Sequence, residues 1–226
     1  MAAPCTPVRV GLDRPRHDEL DKNATTDERL LSPCHLMSRN LIRMELYTPQ
    51  PSRLELQWRS RLDHEVMSVN QESRQHNAPS VVELARGRLY MGGYPNRHVI
   101  RTLEEKKAGM VVNCCAQELP STSDVRNRFE VVEIAARDEP DYFILLHHLD
   151  AFLAAVDRAV AAGVAVFVHC VAGVNRSVAL CAAYLILREG LDPIQAVRLF
   201  RKENKLVVLD NAGFRQQLVE LYLGER

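Results

Sequence analysis

The chain has 226 residues, of which 46% are hydrophobic, and 29 Lys and Arg balance 29 Asp and Glu. It has enough apolar content for a core, and no bulk charge that would draw it to nucleic acid or an anionic membrane. The balance is 11 against 11 in residues 1–79 and 18 against 18 in residues 80–226, so neither part carries a net charge.

The first residues, "MAAPCTPVRVGLDRPRHDEL", lack an apolar core and carry Asp13, Asp18 and Glu19 early. Neither a secretory nor a mitochondrial leader is expected. Ala2 excludes N-myristoylation, and the apolar runs are too short to span a bilayer. The expectation is a cytoplasmic protein, with the nucleus left open. Six cysteines (5, 34, 114, 115, 170 and 181) form no C-x-x-C pair. Reduced thiols fit better than a zinc site or a disulfide framework.

Residues 1–79 contain one glycine and weak periodicity. "LLSPCHLMSRNLIRMEL" and "RLELQWRSRLDHEVM" could each form a short amphipathic helix, separated by Pro49 and Pro51. The expectation is a largely disordered N-terminal extension with transient helix. If it packs on the rest of the chain, Leu54, Leu56 and Trp58 are the apolar candidates. "SRQHNAPS" reads as a linker.

From residue 81 the pattern becomes that of a packed domain. "VVELARGRLYMGG" offers two short strands with a turn at Arg86-Gly87. "RHVIRTLEEKKAG" predicts a helix ended by Gly109. "MVVNCC" and "RFEVVEIAA" read as strands. Leu149, Phe152, Leu153, Val156 and Val160 fall at helical spacing, closed by Gly163. "VAVFVHC" is apolar throughout, as befits the centre of a parallel sheet. Three helices follow: Arg176 to Glu189 before Gly190, one opening at Asp192-Pro193, and one with Phe214, Leu218 and Leu221 on a single stripe. Alternating strands and helices predict an α/β fold, a mostly parallel central sheet flanked by helices, with the extension attached.

"HCVAGVNRS", residues 169–177, joins the apolar strand to the next helix. A helix N-terminus offers unpaired N–H groups and positive potential, and the small residues Val171, Ala172, Gly173 and Val174 let loop amides turn inward. Arg176 adds a planar guanidinium that can hold two phosphate oxygens. The same field favours the thiolate of Cys170, a nucleophile aimed at phosphorus. A cysteine after a buried strand is ordinarily core. The arginine six residues on, with no carboxylate in the loop to pair it, turns the reading to chemistry.

This C-x5-R-[ST] pattern of Cys170, Arg176 and Ser177 resembles the small dual-specificity group of the cysteine-dependent protein phosphatases. "RLYMGGYPN", "GMVVNCCAQELP", "AAYLILREGLDPIQAV" and "DNAGFRQQL" extend the likeness over about residues 81–223. It implies a catalytic domain over residues 80–226 that hydrolyses phosphotyrosine and phosphoserine/threonine through a phosphocysteine, with phosphoprotein substrates and no cofactor or metal. Val171 to Arg176 would bind the phosphate, and Ser177 would help the thiolate leave. His169 would orient the loop, against a protease-like general base.

A leaving oxygen needs a proton. Asp138 follows a strand directly and stands 32 residues before Cys170, which is similar to the family's spacing. Asp141 competes, with an N-cap as its plainer role, and Glu139 is third. Cys115 resembles the strand cysteine of the tumour-suppressor phosphoinositide phosphatase, which pairs with the nucleophile on oxidation. That makes it a candidate redox partner, against plain packing beside Cys114. The family often has Ser where Asn175 stands, and Pro-Asn where Asp210-Asn211 stands. Both departures bear on loop rigidity or substrate preference.

The catalytic unit is short, and no added loop deepens the pocket, which suits phosphoserine. Other readings are a phosphoinositide or phosphoglycan phosphatase, an RNA 5′-triphosphatase, a phosphate-binding adaptor with little turnover, and a rhodanese-like sulfurtransferase. The loop holds no extra lysine for inositol phosphates, and Cys170 and Arg176 are both intact. Oligomeric state is left open.

Overall fold

The computed structural model describes residues 50–68, 81–85, 88–202 and 207–225. Helix α1 (Arg53–Met67) comes first, followed by β1 (Val82–Ala85), β2 (Leu89–Gly92) and α2 (Arg97–Glu105). Next come β3 (Ala108–Asn113), α3 (Ser123–Arg126), β4 (Glu130–Glu133) and α4 (Ile144–Ala161). The order ends with β5 (Ala165–His169), α5 (Arg176–Glu189), α6 (Pro193–Lys202) and α7 (Ala212–Gly224).

The sheet runs β1-β2-β5-β3-β4. Only β1 pairs antiparallel, and β2, β5, β3 and β4 are mutually parallel. β5 is central and buried along its whole length, which is why its sequence does not alternate. Its side chains alternate between two cores: Val166 and Val168 join one, Ala165 and Phe167 the other. Helices α2 and α3 cover the smaller core, through Val99, Ile100, Leu103 and Val125. The rest cover the larger one, with Phe152, Leu180, Phe200 and Phe214 at its centre. The expected α/β sheet flanked by helices is the observed architecture.

Local expectations fare unevenly. Gly163 and Gly190 end α4 and α5 with positive φ. Asp192 and Gln195 form a reciprocal cap at α6, with both bonds at 2.8 Å. Gly109, however, does not end α2. Lys107 takes the left-handed turn, and Gly109 lies inside β3, where a Cβ would come within 2.5 Å of the Val164 side chain. The Arg86-Gly87 turn, the linker at 73–80 and the candidate helix at 30–46 lie outside the described residues.

Packing does not follow a division at residue 79. Ser52 caps α1 by accepting from Glu55 N at 3.1 Å, and Leu62 and Val66 are buried in the larger core. Trp58 meets Tyr222 of α7 edge to face, 4.9 Å between centroids. Of the three anticipated contacts only Trp58 packs; Leu54 and Leu56 are exposed. Four ionic links accompany this face: Arg59 to Glu220, Asp63 to Arg215, and Glu65 to both Arg198 and Arg201. The sequence offers the helix but hides its docking, because its buried residues, four apart, sit among nine charged or polar ones, of which Arg59, Asp63 and Glu65 find partners far along the chain.

Among the described residues, no helix is long and apolar enough to cross a membrane.

Candidate active site

β5 delivers Cys170 to the carboxyl edge of the sheet, where the chain turns through Val171–Asn175 into α5. The loop is fastened by main-chain bonds to its neighbours. Tyr94 N donates to Val171 O at 3.0 Å, Leu209 N to Val174 O at 2.8 Å, and Cys114 N to His169 O at 2.7 Å. Gly173 sits at φ +65°, and a Cβ there would stand 2.5 Å from the Gly92 carbonyl. Only glycine allows that approach. Helix α5 begins without a side-chain cap at Asn175, so its first-turn N–H groups depend on another acceptor.

Cys170 is 1% exposed, and Ser177 donates its hydroxyl to the sulfur at 3.3 Å. Arg176 is nearly as buried, and its Nε has no hydrogen-bond partner. A buried guanidinium with one unsatisfied edge beside a thiol is an arrangement that suits an anion. Burial alone would lower the Arg176 pKa, but the Glu118 hydrogen bond and the Cys170 charge outweigh it and raise it.

Glu118 is the residue that sequence reasoning missed. Arg176 Nη1 donates to Glu118 Oε1 at 2.6 Å and to Ala136 O at 3.3 Å. The arginine is therefore paired, by a carboxylate outside its own loop. A signal existed: β3 and β5 are parallel and in register at Asn113 and His169, so the segments that follow both strands emerge at one edge.

Asp138 stands at the rim, with its side chain 30% exposed. Asn175 Nδ2 donates to its Oδ2 at 3.1 Å and Asn211 Nδ2 to its Oδ1 at 3.0 Å, while Arg176 Nε lies 3.9 Å from Oδ2. Asn175, set down as a matter of loop rigidity, is one of the two amides that hold this carboxylate. Asp141 is exposed and caps nothing; α4 starts at Ile144 after Phe143, without a side-chain cap. Glu139 pairs with Arg137 at the surface.

His169 is fully buried, and desolvation pushes its pKa down to about 4 against a weaker opposing pull from its contact with the Cys170 carbonyl, 3.5 Å from Nδ1. It is neutral at physiological pH and stacks on Phe167. Cys115 is buried and donates its thiol to Asn113 Oδ1 at 3.1 Å. Desolvation, reinforced by the Cys170 charge, pushes its pKa up to about 12. Cys114 is equally buried and feels the same charge, so strict alternation past Asn113 does not separate the two thiols. Among the described residues no cluster of three His, Cys, Asp or Glu could hold a metal ion.

The buried Cys170 thiol, the Arg176 guanidinium and the Asp138 carboxylate thus gather at one edge of the sheet. The model of the dual specificity phosphatase catalytic domain matches residues 89–223, so the chain belongs to the dual specificity phosphatase family. Its activity is that of a protein phosphatase. "Dual specificity protein phosphatase 1" of Arabidopsis thaliana is 28% identical over 156 residues, 69% of this chain and 75% of that protein. Human dual specificity phosphatase 28 is 42% identical over 74 residues, a third of this chain and 42% of that protein. Its crystal structure superposes with a TM-score of 0.55 at 27% identity, over 65% of this chain and 95% of the other.

Proposed function

We propose that this phosphatase hydrolyses phosphotyrosine and phosphoserine/threonine of protein substrates in a reducing compartment such as the cytoplasm, with Cys170 as nucleophile and Asp138 as general acid. The observation that carries the reading is the unsatisfied, buried Arg176 Nε between the Cys170 loop and the Asp138 carboxylate. The amides of Val171–Arg176 and the guanidinium bind three phosphate oxygens. The Cys170 thiolate attacks phosphorus while Asp138 gives its proton to the departing side-chain oxygen. Water then attacks the phosphocysteine, Asp138 takes a proton from that water, and phosphate leaves. Ser177 stabilises the thiolate as the sulfur–phosphorus bond breaks. Cys115 is the proposed redox partner of Cys170, and mapping the bridge formed after peroxide in Cys114→Ser and Cys115→Ser proteins tells the two thiols apart.

The test compares a phosphoserine peptide with an aryl phosphate bearing an acidic nitrophenol. Cys170→Ser brings both rates to on the order of 10⁻⁴ of wild type or below. Asp138→Asn lowers phosphoserine turnover by about 10²–10⁴-fold and spares the nitrophenyl ester, which leaves without a proton. The selective loss appearing in Asp141→Asn instead would move the acid; substantial residual activity in Cys170→Ser would remove the nucleophile.

A further inference from the structure

Helix α1 lies outside the matched residues 89–223, yet a chain of short contacts joins it to Asp138. We propose that α1 is a positioning brace for the acid, acting through Asp63 and Arg215. The proposal rests on the reading of Asp138 as general acid.

Arg215 sits in the first turn of α7 and is 7% exposed. Its Nε donates to Asp63 Oδ1 at 2.5 Å, and its Nη1 to the carbonyls of Leu209 at 2.6 Å and Asp210 at 2.9 Å. Those carbonyls belong to the turn that leads into α7. Leu209 holds φ at +56°, a conformation that a leucine keeps only when its surroundings impose it. The guanidinium is part of that imposition. Leu209 N in turn fixes the signature loop at Val174 O.

Two residues on, Asn211 works on three partners. Its N–H donates to Asn175 Oδ1 at 3.1 Å, its Oδ1 caps α7 at Phe214 N, and its Nδ2 holds Asp138. Arg215 therefore sets the turn, the turn sets Asn211, and Asn211 with Asn175 sets both carboxylate oxygens of Asp138. Asp63 supplies the full negative charge in this set; the carbonyls offer only partial charges. Without it a nearly buried guanidinium loses its counter-charge and is drawn toward other acceptors. A helix that only anchored the extension would bear on stability and not on the leaving group.

The experiment uses the full chain. Asp63 is 53% exposed at its side chain, so Asp63→Asn removes the charge without a cavity. Arg215→Lys is the second variant, since a single ammonium nitrogen cannot stand at the Nε and Nη1 positions at once. Turnover of the phosphoserine peptide and the nitrophenyl ester is measured for each, alone and combined with Asp138→Asn, alongside thermal unfolding midpoints. Asp63→Asn is expected to lose about ten- to hundredfold on phosphoserine and less than about twofold on the nitrophenyl ester. Asp63→Glu restores most of the loss, and Asp63→Asn costs nothing further in the Asp138→Asn background. Equal losses on both substrates, unchanged turnover, or additive losses in the double variant overturn the brace. If Asp138→Asn alone shows no selective loss, the acid assignment falls and the brace with it. If that loss is selective and the Asp63→Asn loss is not, only the brace falls.

Discussion

On the proposed mechanism the loop after β5 and the loop after β4 carry the two halves of one reaction, and they are fastened differently. Val171 and Val174 are tied through main-chain atoms to Tyr94 and Leu209. The acid loop hangs on side-chain amides: Asn175 and Asn211 hold Asp138, and Gln217 donates to Tyr142 O at 2.9 Å and accepts from Leu145 N at 3.2 Å. Main-chain ties survive substitution of the residues that make them, and side-chain ties do not. The nucleophile half is thus set by topology, and the acid half by particular side chains, so rate and leaving-group preference are the more easily altered properties.

Two glycines separate the halves most sharply. Gly173→Ala drives a Cβ into the Gly92 backbone from a left-handed position, so both substrates should lose roughly a hundredfold or more. Gly213→Ala strikes the acid loop instead, because a Cβ there would stand 1.7 Å from Pro140 O. Its expected loss is about a hundredfold on phosphoserine with nitrophenyl ester turnover largely kept. Parallel kinetics on the two variants check this; a non-selective Gly213→Ala would mean that the acid loop and the nucleophile loop move as one body.

Leu62→Ala tests stability apart from chemistry. Leu62 is fully buried where α1 meets the larger core, and its truncation should cost about 2–5 kcal/mol in urea unfolding. Turnover of the nitrophenyl ester well below the midpoint should hardly change. An unaltered midpoint would show that the helix contributes nothing to the fold it packs on.

A last effect, confined to acid pH, concerns His169. Its pKa is about 4 when folded and about 6.5 when unfolded, so the unfolded chain binds the extra proton between those values. The stability gained from keeping the ring neutral is full above about pH 6.5 and is lost as pH falls toward 4, on the order of 3 kcal/mol in all. His169→Gln should flatten that part of the stability curve, as read from urea midpoints between pH 4 and 7. The same slope in both proteins would place the titration elsewhere.

What could be read from the sequence follows the same line. The strand, loop and helix around Cys170 occupy consecutive residues, and their roles come from local rules for glycine, helix ends and apolar runs. Helices α5 and α7 and central β5 were legible on those terms. Glu118 was not, because its partner Arg176 lies on another strand-loop unit. Asp138 was singled out by its position, but the amides that hold it were not, since Asn175 and Asn211 meet it only once the sheet has ordered the loops. Helix α1 showed its pattern, yet its docking depends on Glu220, Arg215, Arg198 and Arg201, which no local window contains.

The central place of β5 also governs the order of assembly. β2 and β3 each pair with it, Leu89 with Val166 and Ala108 with Ala165, and not with each other. A nascent chain that ends before β5 can form the β1–β2 and β3–β4 pairs, but each leaves an open strand edge. The sheet closes only when residues 165–169 leave the ribosome, and the Cys170 loop follows immediately. Before that point nothing joins the edges of β2 and β3, so any strand pair formed earlier keeps an edge open to other chains.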